Sequence, residues 1–298
     1  MENIKLMEVI NMTKVMNENT LESYINNQIN LMVANNYKGR MPKVVILMAS
    51  DDKPSERYVS NKIKMAEKFN IEAELVKFNE NVTNKDLEEI INELNNDESV
   101  DGVILQLPVY KHLDAKHLIN QICPYKDVDG LTFINAGRLV QGMPSLVPCT
   151  PKGIIDLLDE YKIKLEGSQV VVIGRSVLVG KPMANLLTNR NASVTICHSK
   201  TKDIKLYTKN ADIIIVAVGK QGFLKEDMVK DGAVVIDVGI NRINGKLQGD
   251  VNYENVSKVA GYITPVPGGV GPMTVYELMA NVLVAHNLRL KYCKKTSK

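Results

Sequence analysis

Apolar and polar positions along the chain follow two patterns, a recurrence near every third or fourth residue and short continuous apolar runs. Leu6, Val9, Ile10, Met16, Leu21, Ile25 and Ile29 recur at roughly helical spacing and predict a helix over 4–36. Lys43-Val-Val-Ile-Leu-Met-Ala49 reads as a buried strand. Asp51 then opens a helix to about Asn70, with Pro54 tolerated in its first turn. Ile71 to Phe78 alternates as a strand, 83–96 is helical, Gly102 to Leu107 is a strand and Asp114 to Cys123 a helix. Strands alternating with helices imply a mostly parallel sheet with helices on its faces.

A second series begins near Ser168, with strands at 168–173, 193–197, 212–218, 233–238 and 259–263 and a helix at 180–190. Between the two series lies Pro148-Cys-Thr-Pro151, followed by an amphipathic helix to about Tyr161. The expected fold is α/β in two domains with a cleft between them. Residues 1–148 form an N-terminal catalytic domain, joined by a C-terminal helix from 272–298, and 149–271 form a Rossmann-like dinucleotide-binding domain. A length of 298 residues fits two domains.

Composition narrows the class by exclusion. The apolar fraction of 45% is ordinary for a globular protein, and a net charge of +3 is too mild to suggest nucleic acid. No run of 18 apolar residues argues for a membrane span, and the N-terminus lacks a secretory pattern, so a cytoplasmic protein is expected. Cys123, Cys149, Cys197 and Cys293 contain no Cys-x-x-Cys pair and read as reduced thiols. The four histidines form no recognisable metal motif.

Val170-Val-Val-Ile-Gly174-Arg175-Ser176-Val-Leu-Val-Gly180 delivers a strand into a tight turn and a helix start, an arrangement suited to a pyrophosphate. The spacing is Gly-x5-Gly rather than G-x-G-x-x-G, and a plain strand-to-helix turn gives the same pattern. The next strand ends at His198-Ser199-Lys200-Thr201, where an NAD-selective site tends to carry Asp or Glu. Arg175 with these hydroxyls suits a 2′-phosphate, which predicts NADP over NAD.

Four further segments carry candidate chemistry. Ser55, Tyr58 and Lys62 share one helix face, although such stripes are common on surfaces. A lysine there acts as an acid/base where burial favours its uncharged form. Gln106, ahead of Pro108, falls at the carboxyl edge of a strand, where open α/β sheets bind ligands. Asp127-Val-Asp129-Gly130 offers carboxylates that either accept hydrogen bonds from an amino-substituted ring or cap a helix. Thr264 to Thr274 holds three prolines and three glycines, which predicts an irregular loop whose backbone approaches a flat ligand closely.

These residues resemble the bifunctional methylenetetrahydrofolate dehydrogenase/methenyltetrahydrofolate cyclohydrolase family. The matching motifs are Tyr58-x-x-x-Lys62, Gln106-Leu-Pro108, Lys126-Asp-Val-Asp129-Gly130, Pro148-Cys-Thr-Pro-Lys-Gly153, Gly174-Arg-Ser-x-x-Val-Gly180-x-Pro-Met183, His198-Ser-Lys-Thr201 and Pro265-Val-Pro-Gly-Gly-Val-Gly-Pro-Met-Thr274. The resemblance implies NADP-dependent oxidation of 5,10-methylenetetrahydrofolate, then hydrolysis of the methenyl product to 10-formyltetrahydrofolate, in one-carbon metabolism and purine biosynthesis. It implies Lys62 as acid/base with Gln106 holding it, Tyr58 packing on the folate ring system and Asp129 anchoring the pterin. It places Gly174, Arg175, Ser176, Ser199 and Ile240 at the cofactor and Pro267, Gly268 and Gly269 at the folate, and it implies a homodimer. The chain departs from the pattern at Ser50, where glycine is usual, and at Ile10-Asn-Met-Thr13, where Asp-Gly-Lys is usual. The alternatives are a chain that keeps one of the two activities, or a non-catalytic NADP-binding protein.

Overall fold

The structure is a computed structural model and describes residues 13–16, 40–143 and 145–293, with no account of the side chains of 289–293. Most of the helix expected over 4–36 lies outside these residues. Its described part is extended instead: β1 (Lys14–Val15) pairs in parallel with β11 (Tyr262–Ile263). The Thr13 hydroxyl donates to Ala260 O at 2.6 Å and fixes that start.

The first half is built on β2 (Lys43–Met48), α1 (Lys53–Lys68), β3 (Glu72–Lys77), α2 (Asn84–Asn96) and β4 (Gly102–Gln106). The three strands form a parallel sheet in the order β3-β2-β4. β2 and β4 are buried along nearly their whole length, as parallel strands covered on both faces must be. The short helix α3 (Ala115–Ile119) covers less of the predicted 114–123. Helix α4 (Phe133–Val140), capped by the Thr132 side chain, is a segment the apolar pattern did not announce.

The second half runs α5 (Cys149–Glu160), β5 (Gln169–Ile173), α6 (Gly180–Asn189), β6 (Ser193–Cys197), α7 (Lys205–Thr208), β7 (Ile213–Val216) and β8 (Val234–Asp237). Its six-stranded parallel sheet has the order β1-β11-β8-β7-β5-β6. A hairpin, β9 (Asn241–Ile243) and β10 (Lys246–Gln248), turns on Asn244-Gly245, both at positive φ. After α8 (Tyr253–Val256) and β11, helix α9 (Val270–Cys293) returns along α5 and α1 and touches β4. It is buried on most sides through Ala285, with the polar Glu277 and Asn281 buried among its apolar residues, which explains its lack of an amphipathic pattern.

The start of α9 corrects an expectation. Residues 270–274 are its first turn, not loop, so only Thr264 to Gly269 are irregular. Pro272 is tolerated because the first N–H groups of a helix have no partner inside it. Near the other end of α9, His286 Nδ1 lies 3.1 Å from the buried Asp101, which also accepts from Arg40 at 2.7 and 2.9 Å. Burial alone would push the Asp101 carboxyl up; the His286 and Arg40 side chains and the Lys43 N–H outweigh it and hold it at about 2.

Candidate active site

Asp52 caps α1 by accepting from the Ser55 N–H at 2.8 Å, which fixes the phase of the helix. Ser55, Val59, Lys62 and Ala66 form its buried stripe. Lys62 is therefore no surface lysine: it is only 9% exposed, and its Nζ donates to Gln106 Oε1 at 3.1 Å. Gln106 ends β4, and its Nε2 donates to Leu107 O at 2.8 Å, so the amide can present only its oxygen to the lysine. Tyr58 stands at the edge of the stripe, half exposed, and burial of the remainder pushes its phenol up.

The two aspartates divide the roles left open for them. Asp127 is buried and accepts from the N–H groups of Leu131 and Thr132 and from Asn135 Nδ2, so it builds the entry to α4. Burial raises its pKa despite those bonds. Asp129 instead faces a small cavity of about 260 Å³, together with Gln106. The thiol of Cys149 lies in the field of both candidate groups: burial and then Asp129 push it up, while Lys62 opposes them. Asn281 of α9 donates to Val128 O and Val147 O, each at 2.8 Å, and so pins the backbone beside Asp129.

A second cavity, of about 460 Å³, is walled by Tyr58, Ile240 and the loop bearing Pro267, Gly268 and Gly269. The two cavities share Thr150, Val179 and Thr274, so they are lobes of one cleft. The Thr150 and Thr274 hydroxyls are 2.9 Å apart and bridge the first turns of α5 and α9. Both threonines lie in motifs singled out from the sequence, yet no role was assigned to either. Val179 was likewise missed; its signal was its place in the glycine-bounded turn.

The glycine turn is explained by contact. A Cβ on Gly174, where φ is +135°, would stand 2.4 Å from Ala217 O, and one on Gly180 would stand 2.2 Å from Gly174 O. The two glycines pack against each other and against the end of β7, so the turn is tighter than any side chain permits. Ser176 Oγ accepts from Val179 N at 3.1 Å and so shapes the turn from within. Arg175 is exposed. β5 and β6 run in register from Gln169↔Ser193 to Ile173↔Cys197, and Gly174 N donates to Cys197 O. Ser199 therefore follows the end of the strand next to the one that leads into Gly174 and Arg175. His198 and Thr201 close that turn on themselves and leave Ser199 and Lys200 exposed. Gly174, Arg175, Ser176 and Ser199 line neither lobe; Leu178 and Val179 carry their turn to the edge of the smaller one. Ser50, after β2, has a buried hydroxyl without a hydrogen-bond partner among the described residues. Among those residues no three His, Cys, Asp or Glu side chains cluster as a metal site.

The family model for the tetrahydrofolate dehydrogenase/cyclohydrolase catalytic domain matches residues 15–129, and that for its NAD(P)-binding domain matches 148–290. The chain is 45% identical to the bifunctional protein FolD of Mycoplasma mycoides, over 91% of this chain and 94% of that one. It superposes on the crystal structure of the bifunctional FolD of Campylobacter jejuni with TM-score 0.90 and 42% identity, covering 93% and 99% of the two chains. A FolD structure from Trypanosoma brucei, complexed with NADP and an inhibitor, matches with TM-score 0.87 and 34% identity over 94% and 99%.

Proposed function

The chain belongs to the tetrahydrofolate dehydrogenase/cyclohydrolase family, and on that premise we propose that Lys62 is its acid/base, that Gln106 holds the amine and that Asp129 and Tyr58 seat the folate. It is a bifunctional enzyme that oxidises 5,10-methylenetetrahydrofolate with NADP and hydrolyses the methenyl product to 10-formyltetrahydrofolate. The observation that carries the assignment of residues is the Lys62–Gln106 hydrogen bond, at the carboxyl edge of the first sheet, behind a cleft that reaches the second.

NADP fits the turn at Gly174: a cradle that any Cβ would fill, a helix N-terminus, and exposed Arg175, Ser199 and Lys200 where a carboxylate would favour NAD. Gly174, Arg175, Ser176 and Ser199 would hold it, with Ile240 in the cleft. When bound, it supplies the acceptor for the hydride leaving the methylene carbon. The residues of the chain perform the rest. Asp129 accepts hydrogen bonds from the amino-substituted pterin, and Pro267, Gly268 and Gly269 close over its plane. In hydrolysis, water adds to the methenyl carbon and its proton passes to Lys62. The C–N5 bond then breaks with its electron pair on N5, which takes the proton back from Lys62. The second proton of the water is released as the formyl carbonyl forms.

Two domains, 1–148 with 272–298 and 149–271, are the division that best suits this cleft. No helix among the described residues is long and apolar enough to cross a membrane, and a cytoplasmic homodimer is the expected form. β6 has β5 on one side only, and Ile196, Leu206 and Tyr207 are exposed there, a surface suited to pairing copies. The test is spectroscopic: with methylenetetrahydrofolate and NADP, NADPH absorbance rises first and the methenyl band then decays. Growth of the methenyl band without decay would leave a dehydrogenase alone; no NADPH with either NADP or NAD would refute the dehydrogenase, and failure to hydrolyse added methenyltetrahydrofolate as well would refute the enzyme.

A further inference from the structure

Helix α5 leads into the second sheet, α9 leads out of it, and the two pack against each other. They meet closely at a glycine: a Cβ on Gly153 would stand 2.8 Å from Met273 Cβ. Beside this contact lies the Thr150–Thr274 hydroxyl bridge, whose residues line both lobes of the cleft. Two residues after Thr150 and three after Thr274 come Lys152 and Glu277. The Lys152 ammonium reaches across the helix crossing to the buried Glu277 carboxyl, and neither side chain lines the cleft. The Asp156 side chain, one turn after Lys152, is hydrogen-bonded to Glu277.

Replacing a buried ion pair by apolar residues of similar volume is often neutral or stabilising. Stability alone therefore gives no reason for a lysine and a glutamate at a crossing that Gly153 and Met273 already close. What the pair fixes is register, because α5 and α9 cannot slide or roll past each other without parting it. Burial would lower the Lys152 amine, but Glu277 and Asp156 outweigh it and raise it. Burial pushes the Glu277 carboxyl up to about 8, with Lys152 opposing and Asp156 adding to the rise. Lys152 thus faces a carboxylate whichever of the two holds a proton. We propose that Lys152 and Glu277 are positioning residues for hydride transfer: they lock α5 on α9 and so hold Thr150 and Thr274 where the two lobes join. The inference rests on the folate reading above. Oxidation needs the donor carbon and the acceptor ring brought to about 3–3.5 Å of each other across the cleft, whereas hydrolysis draws on the Lys62 side alone. Loss of the pair should therefore hurt oxidation more than hydrolysis.

The experiment assays the full chain carrying Lys152→Met with Glu277→Met, which removes both charges and keeps the volume. The melting temperature is expected at or above that of the wild type, and calorimetric binding of NADP close to it. The kcat for NADPH formation is expected to fall about tenfold or more, since a misplacement of about 1 Å costs roughly 10²-fold. Decay of added methenyltetrahydrofolate is expected to slow far less. With methylene-deuterated substrate the isotope effect on kcat should be at least that of the wild type, because hydride transfer now limits the rate. Lys152→Arg, which keeps the charge, is expected to retain most of the oxidation. Unchanged oxidation, parallel loss of both reactions, lost affinity for NADP, a smaller isotope effect, an arginine variant no better than the double methionine, or a double variant that no longer folds each overturns the positioning role. A wild-type chain that forms no NADPH is instead a failure of the enzyme reading.

Discussion

The two walls of the cleft are built on opposite plans. On the first domain's side the groups we propose to work are side chains, and other side chains hold them: Lys62 by Gln106, and the start of α1 by Asp52 and Ser55. On the dinucleotide side the work falls to backbone, and what matters is the absence of atoms, at Gly174 and Gly180. The buried aspartates follow the same contrast. Asp101 meets Arg40 and His286 and is held at about 2. Asp237, which lines the cleft, accepts from the N–H groups of Asp250, Val251 and Gly239 and meets no cation among the described residues; burial pushes it up to about 6, with Asp250 adding to the rise. A wall made of side chains should lose chemistry without losing its fold, and a wall made of close approach should lose both.

The sharpest way to break this contrast is Lys62→Met. General acid/base catalysis contributes about 10²- to 10⁴-fold, so decay of the methenyl band should slow by at least that factor and oxidation should fall strongly. Thermal unfolding should stay near wild type, because methionine fills the same buried stripe. Hydrolysis at the wild-type rate would remove the lysine from the mechanism.

Next in size are the two aspartates. The displacement of each from 3.8 corresponds to about 2–3 kcal/mol at 1.36 kcal/mol per unit. Their signs are opposite. The lowered value of Asp101 gives stability that is present above pH 3.8 and lost as pH falls through about 2. The raised value of Asp237 gives stability that is present below pH 3.8 and lost as pH rises through about 6. Carboxyl ¹³C shifts should titrate near those two values, and an Asp237 that titrates near 3.8 would erase the contrast.

Much of this arrangement was legible in the sequence, and the rest was hidden for physical reasons. The strands of both sheets announce themselves because parallel strands buried on both faces read as continuous apolar runs, Lys43–Met48 above all. Gln106 was placed at a strand edge because Pro108 stops the ladder. Helix α4 escaped notice because its apolar residues are split: Leu139 is buried, while Phe133, Ile134 and Val140 are exposed. The start of α9 was read at 272, two residues late, because Val270 and Gly271 continue a stretch rich in glycine and proline, although a helix start tolerates both. The hairpin at Asn244-Gly245 carried a usable turn signal that went unread. What periodicity alone could not give is the meeting of Lys62 with Gln106, a contact across 44 residues that depends on the register of β2 with β4 and on the phase of α1.

On the dinucleotide side the effects should be smaller and of two kinds. Arg175→Ala removes a guanidinium, not a packing contact. Charge-assisted hydrogen bonds are worth about 1.5–3 kcal/mol, so kcat/KM with NADP should fall roughly tenfold to a hundredfold while the value with NAD changes little. An unchanged ratio would return Arg175 to the solvated surface.

Gly180→Ala tests the plan of that wall directly. Its new Cβ would meet Gly174 O at 2.2 Å, and a carbonyl at the end of a central strand cannot yield as a flexible side chain does. Overpacking of this kind costs about 1–3 kcal/mol, seen as a melting temperature lower by several degrees. The displaced turn also spoils the cradle, so the KM for NADP should rise. Hydrolysis of methenyltetrahydrofolate needs no dinucleotide and, on our proposal, draws on Lys62 and Gln106 of the other wall, so it should persist at a temperature where the variant is folded. Joint loss of both activities in a folded variant would mean that the two walls are not independent, because the turn through Leu178 and Val179 would then be shaping the lobe that holds Gln106 and Asp129.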